Sequence, residues 1–213
     1  MITTAILLVL GGLLGLVLWQ LFRGRTVSKP APVIPMPAPA ASSALELMQA
    51  RPGDVISVPG AAEDFSDLDF TVDRRSAYDS RNRRWTDLSG DFRGRRVYIE
   101  VQPGGTEAMG IFDPRRLTPP DVGTTEEELA DMDARQDPSA FLTFEGKQWH
   151  FESSREIGYY ENETGEGEGL YRWIFRESGG NRLICIEKWE GEPFDVRIGQ
   201  HLNPRDITVF RAA

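Results

Sequence analysis

The chain has 213 residues, with 33 acidic against 24 basic side chains, a formal net charge of −9, one cysteine and two histidines. That charge balance lacks the basic footprint of a nucleic-acid binder. One cysteine excludes an internal disulfide, and with two histidines it cannot complete a four-ligand zinc centre of Cys and His, so neither a metal nor a cofactor is expected.

In chain order, Ile2 to Phe22 is apolar and uncharged, and Arg23, Arg25 and Lys29 follow it. About 20 residues at roughly 1.5 Å each cover the hydrocarbon core of a bilayer. We read residues 1–25 as a single transmembrane anchor that meets lipid through residues 2–22. A cleaved signal peptide would carry its basic residues before a shorter apolar run. Basic residues that follow a span stay on the cytoplasmic side. The N-terminus is therefore expected outside and the rest inside, as a single-pass protein of the bacterial inner membrane. Gly11 and Gly15 form a small-xxx-small pair through which two such helices would self-associate into a homo-oligomer, although glycine is also simply common in membrane helices.

Residues 26–43 contain no acidic residue and carry Pro30, Pro32, Pro35, Pro37 and Pro39. Proline fixes φ and removes N–H donors, so this stretch is expected to be an extended Pro/Ala-rich tether. All 33 acidic residues lie beyond it, against 21 basic ones, a net charge of −12 for the remainder. Such a domain is not drawn onto anionic lipid and stands off the membrane.

Ala44 to Ala50 reads as one or two helical turns, and after the Pro52-Gly53 turn the texture is β, with short Val-, Ile-, Trp-, Tyr- and Phe-rich runs punctuated by glycine. A first β unit is expected over residues 44–102. An irregular insert follows at 103–138, with a short acidic helix capped by Thr124 or Thr125. A second β unit is expected over 139–213. In the second unit Gly179-Gly180 suits a two-residue hairpin turn. It places Trp173 opposite Ile186, Arg172 opposite Glu187 and Ile174 opposite Cys185. Glu145-Gly146 sets Leu142 opposite Trp149. The first unit echoes this order: Arg84-Trp85 then Ile99-Glu100, against Arg172-Trp173 then Ile186-Glu187. The expected fold class is all-β, two similar antiparallel meanders in tandem after the membrane helix, with Trp85 and Trp173 as counterparts.

Pro52-Gly53-Asp54, Arg84-Trp85, Ile99-Glu100-Val101, the hairpin from Phe141 to Glu152, Tyr171-Arg172-Trp173, Ile186-Glu187 with Trp189, and Gly199 before Ile207 to Phe210 occur in that order. Over about residues 48–211 this resembles the bacterial family catalogued as domain of unknown function 4178. The resemblance implies a duplicated all-β domain, encoded often near membrane-stress and polyamine-related genes. It supplies no catalytic residue to carry over.

The chemistry is otherwise sparse. There is no phosphate loop and no Gly-x-Ser-x-Gly elbow. Cys185 alternates with isoleucines and reads as a buried, inert thiol. His150 reads as a packed strand residue. Glu161, Glu163, Glu166 and Glu168 read as a solvated loop. Glu100 and Glu187 invite a paired-carboxylate reading. An arginine opposite each, Arg84 and Arg172, makes structural cross-strand pairs the plainer account. The chain is expected to be a non-enzymatic, membrane-anchored adaptor of a membrane-stress or membrane-maintenance system, whose acidic β domain binds an unidentified membrane or cytoplasmic protein. The alternative is a small-ligand sensor or enzyme with a cleft between the β units.

Overall fold

The computed structural model describes residues 47–81 and 83–212. The apolar run 2–22, Gly11, Gly15 and the tether 26–43 lie outside the described residues. Among the described residues no helix is long and apolar enough to cross a membrane.

The described residues form eleven strands in one antiparallel sheet: β1 (Val55–Val58), β2 (Leu68–Ser80), β3 (Arg83–Phe92), β4 (Arg95–Val101), β5 (Ala108–Ile111), β6 (Phe141–Phe144), β7 (Lys147–Tyr160), β8 (Glu168–Glu177), β9 (Arg182–Trp189), β10 (Phe194–Leu202) and β11 (Thr208–Phe210). Their order is β11-β1-β2-β3-β4-β5-β10-β9-β8-β7-β6, and β2 also pairs with β7. That last pairing closes β2–β5 and β7–β10 into a ring, with an interior and an outer face. Ala77, Tyr78 and Asp79 face Tyr160, Tyr159 and Gly158 there.

The two long strands make closure feasible. The first part of β2 pairs with β1 and the first part of β7 with β6, whereas their final residues pair with each other. Between these stretches each strand carries a register shift, at Val72/Arg74 and at Phe151/Ser153. An extra residue in one strand bends it and increases its twist, which turns each strand from its hairpin partner into the ring.

Side-chain alternation then fills three regions. On the outer face Leu68, Phe70, Leu88, Val97 and Ile99 pack with Leu47, Ile56 and Ile207. Elsewhere on that face Trp149, Phe151, Trp173, Phe175 and Ile186 pack under Val122 and Leu129. Leu129 lies on α1 (Glu126–Arg135), whose first turn is fixed by a capping box between Thr125 and Glu128. The interior holds Tyr78, Trp85, Ile157 and Leu170, and separately Met109, Ile111 and Leu183.

The hairpin registers expected for residues 141–189 are those observed, including Leu142↔Trp149 and Arg172↔Glu187. The long strand β7 runs unbroken through polar Ser153 and charged Arg155. One expected segment differs. The stretch 103–138 contains β5, Ala-Met-Gly-Ile, buried at all four positions. A four-residue strand packed on both faces shows no polar alternation, so periodicity does not reveal it.

Trp85 and Trp173 are not counterparts. Trp85 lies two residues before Asp87, which faces Glu100. Trp173 lies one residue after Arg172, which faces Glu187. An odd offset reverses the face of a strand. Trp85 points into the ring, and Trp173 points outwards, donating its indole N–H to the Leu129 carbonyl at 3.0 Å.

Candidate functional site

The ring interior carries charge. On β8, Arg172 is 4% exposed. Its Nε donates to Glu187 Oε1 at 2.9 Å, and its Nη1 donates to Glu100 Oε2 at 2.8 Å. Its Nη2 lies 2.5 Å from Glu187 Oε1, and its Cζ sits 4.6 Å from the Tyr78 ring centroid. The Trp85 indole N–H also donates to Glu100 Oε2, at 3.0 Å, and the Trp189 indole N–H donates to Glu187 Oε2 at 3.3 Å. Burial opposes charge on Glu187, yet Arg172 and Arg197 hold its carboxyl below the ordinary range. A buried guanidinium bridges two buried carboxylates here, and losing one member strands the others.

Arg84 and Glu100, expected as a pair, are not brought together. Arg84 faces Asp79 on β2, and its Cζ lies 5.2 Å from the Tyr160 ring centroid. The two-residue turn at Arg93-Gly94 puts Asp87, not Arg84, across from Glu100. Arg172 from the other run of strands takes the role expected of Arg84. The Arg172–Glu187 pair is deeply buried.

Asp87 is the site residue that sequence reading missed. It is 2% exposed, and its Oδ1 has no hydrogen-bond partner among the described residues. Two residues along the same face, the buried Ser89 hydroxyl is likewise without one. Burial, then the nearby Glu100, pushes the Asp87 carboxyl well above its ordinary range, and Arg172 and Arg197 only partly oppose this. The available signal was alternation: Trp85, Asp87 and Ser89 share a face, so a carboxylate sits in phase with a buried tryptophan.

Two cavities open from this charged layer. One, of about 720 Å³, is reached past the ends of β7, β8 and β9. Asp87 and Glu187 form part of its lining, with Tyr78, Tyr98, Tyr159 and Trp189. Tyr159 packs tilted on Tyr78 at 5.2 Å between centroids and edge-on to Trp189 at 5.3 Å. Its hydroxyl is 3.0 Å from the Ser76 hydroxyl. Arg197 belongs to the same wall, paired to Asp195 at 2.5 Å with its Cζ 5.0 Å from the Tyr98 ring centroid. The other cavity, of about 170 Å³, meets Glu100 and Arg172 from the opposite side and is rimmed by Arg83, Arg155 and His201. Burial and then the charges of Arg83 and Arg172 depress the Arg155 pKa.

The remaining candidates have ordinary roles. The Cys185 thiol is fully buried, 3.8 Å from Glu187 Oε1, and burial pushes its pKa up. His150 packs against Phe141 with ring centroids 6.0 Å apart. In the acidic loop Glu161 pairs with Arg74 and Glu163 with Arg75, each at 2.9 Å. Among the described residues no group of three or more His, Cys, Asp or Glu side chains is placed to hold a metal ion.

A family model described as domain of unknown function (DUF4178) matches residues 52–204. No curated protein and no solved structure matches the chain.

Proposed function

We propose that this chain, which belongs to the domain of unknown function family DUF4178, is a membrane-tethered module that binds a small molecule inside its β-ring without transforming it. The observation that carries this reading is the aromatic cavity lined in part by Asp87, whose buried Oδ1 has no hydrogen-bond partner among the described residues. A buried polar group without a hydrogen bond is costly, and a bound partner that supplies the missing contact is one account of it. Two features argue for binding over catalysis. Burial suppresses thiolate formation at Cys185, and Arg172 engages both glutamates that would otherwise serve as an acid/base pair.

This reading takes β1–β5 and β6–β10 as two copies of one unit. Each opens with a hairpin, each has a bulged long strand, and Glu100 and Glu187 take corresponding places on β4 and β9. The cavities then lie at corresponding ends of the two copies. The apolar run and its basic flank support an inner-membrane anchor with this domain on the cytoplasmic side. A C-terminal reporter active only outside the cytoplasm would reverse that orientation.

The adaptor reading is supported by the exposed Phe141 and Phe210 on the outermost strands β6 and β11. Unpaired strand edges are where peptides add by β-augmentation. Thermal melts of the full chain in detergent, against panels of cationic, anionic and neutral metabolite-sized compounds, discriminate the two. Ligand binding requires one class to raise the melting temperature in a saturable way. No response at millimolar concentration from any class, with stable capture of one protein that Phe141→Ser abolishes, leaves the adaptor reading in its place.

A further inference from the structure

We propose that the larger cavity binds a small organic cation, whose ammonium head seats against Asp87 beside the wall formed by Tyr78, Tyr159 and Trp189. This rests on the small-ligand reading and names the ligand's chemistry.

The first argument is a comparison internal to the ring. Arg172 faces Glu187 across β8 and β9, and Asp87 faces Glu100 across β3 and β4. Positions 172 and 87 therefore correspond. One copy supplies its own guanidinium at this place. The other supplies a carboxylate opposite a carboxylate, and Asp87 Oδ1 is buried with no hydrogen-bond partner among the described residues. The positive charge absent from the chain at this position is what a bound ammonium provides.

The second argument is the lining. It carries six carboxylates, Asp87, Glu161, Glu168, Glu187, Glu190 and Glu192, against the guanidiniums of Arg74 and Arg197. Glu161 is paired with Arg74 and Glu187 with Arg172, so the excess rests on Asp87, Glu168, Glu190 and Glu192 against Arg197. A cleft with an excess of one sign of charge concentrates ligands of the opposite sign. The third is the wall. Tyr159 and Trp189 meet edge to face, an arrangement that presents ring faces to an alkylammonium and its carbon chain. The cavity of about 720 Å³ suits a metabolite-sized ligand. The opposite cavity, where Arg83, Arg155 and Arg172 are balanced by Glu100, Glu107 and Glu152, has no such acidic excess and serves as an internal control.

The test is isothermal titration of the full chain in detergent with n-butylammonium, n-butanol and n-butyrate as separate probes. Butylammonium is expected to bind and butanol not. Asp87→Asn should weaken butylammonium by at least about tenfold, as loss of one charge-assisted hydrogen bond implies. Trp189→Leu should weaken it several-fold while circular dichroism shows both variants folded. Equal affinity for butanol, or undiminished binding by folded Asp87→Asn, overturns the cation site. Butyrate binding that Arg155→Gln abolishes, without butylammonium binding, also overturns it but leaves the small-ligand reading standing. If no probe binds and no compound panel stabilises the chain, both fall.

Discussion

The guanidinium of Arg172 holds two glutamates at once, Glu187 beside it on β9 and Glu100 across the ring on β4, with donor–acceptor distances of 2.9 and 2.8 Å. This contact ties the two runs of strands together through the interior, beyond the short β2–β7 and β5–β10 pairings. It also separates the two cavities, so the same residue organises the fold and bounds the candidate site.

Arg172→Met should therefore be severely destabilising. It leaves two carboxylates buried and unpaired, a loss of about 3–5 kcal/mol. Glu187→Gln retains an acceptor for Arg172 and should cost less, roughly 1–3 kcal/mol. Denaturant melts of both variants measure the difference. Equal and small losses would mean the network adds little to stability.

Trp173 is a separate structural test. It lies in the outer core, touches Tyr171 and Phe194 with ring centroids 4.7 and 6.0 Å away, and donates to the Leu129 carbonyl of α1. Trp173→Ala should cost about 3–5 kcal/mol. Because it faces away from the cavities, any variant protein that remains folded should bind butylammonium as the parent does. Selective loss of binding would place Trp173 in the site after all.

Asp87→Asn should stabilise the chain at neutral pH. Burial raises the Asp87 pKa in the folded state, and the groups around it are Tyr78, Glu100, Arg172, Glu187 and Arg197. A carboxyl whose folded pKa lies above its unfolded value imposes no penalty at low pH. It removes stability as pH rises from the ordinary value of 3.8 towards the folded one. Asparagine has no such penalty. The parent and variant melts should converge at acid pH and diverge towards neutrality, with the variant the more stable. A variant that is less stable throughout would mean Asp87 has a structural partner.

Glu177 should act in the opposite direction. Arg182 donates to both of its oxygens, at 3.0 and 3.2 Å, and Lys147 also pairs with it. These contacts hold its carboxyl at about 2, below the usual 4.5. A depressed carboxyl pKa contributes stability above the unfolded value, and that stability is lost as pH falls from about 4.5 to about 2. Glu177→Gln should flatten the acid limb of stability over that window. An unchanged acid limb would assign acid sensitivity to other carboxylates.

Local chemistry made much of the fold legible in the sequence. The Gly179-Gly180 and Glu145-Gly146 turns fix hairpin registers because a two-residue loop leaves one pairing for the residues beside it. Thr125 and Glu128 start α1 because their side chains satisfy the free N–H groups of its first turn. Phe70, Trp149 and Phe175 had to be buried somewhere. Ring closure was not legible, because β2 and β7 meet across 80 residues through three pairs that carry no local pattern. Nor was the partner of Glu100, which comes from the other run of strands, 72 residues away. Sequence alternation put Asp87 on the same strand face as Trp85. Only the assembled ring decided that this face looks inwards, that Arg172 is spent on two glutamates, and that Asp87 Oδ1 is buried without a hydrogen-bond partner among the described residues.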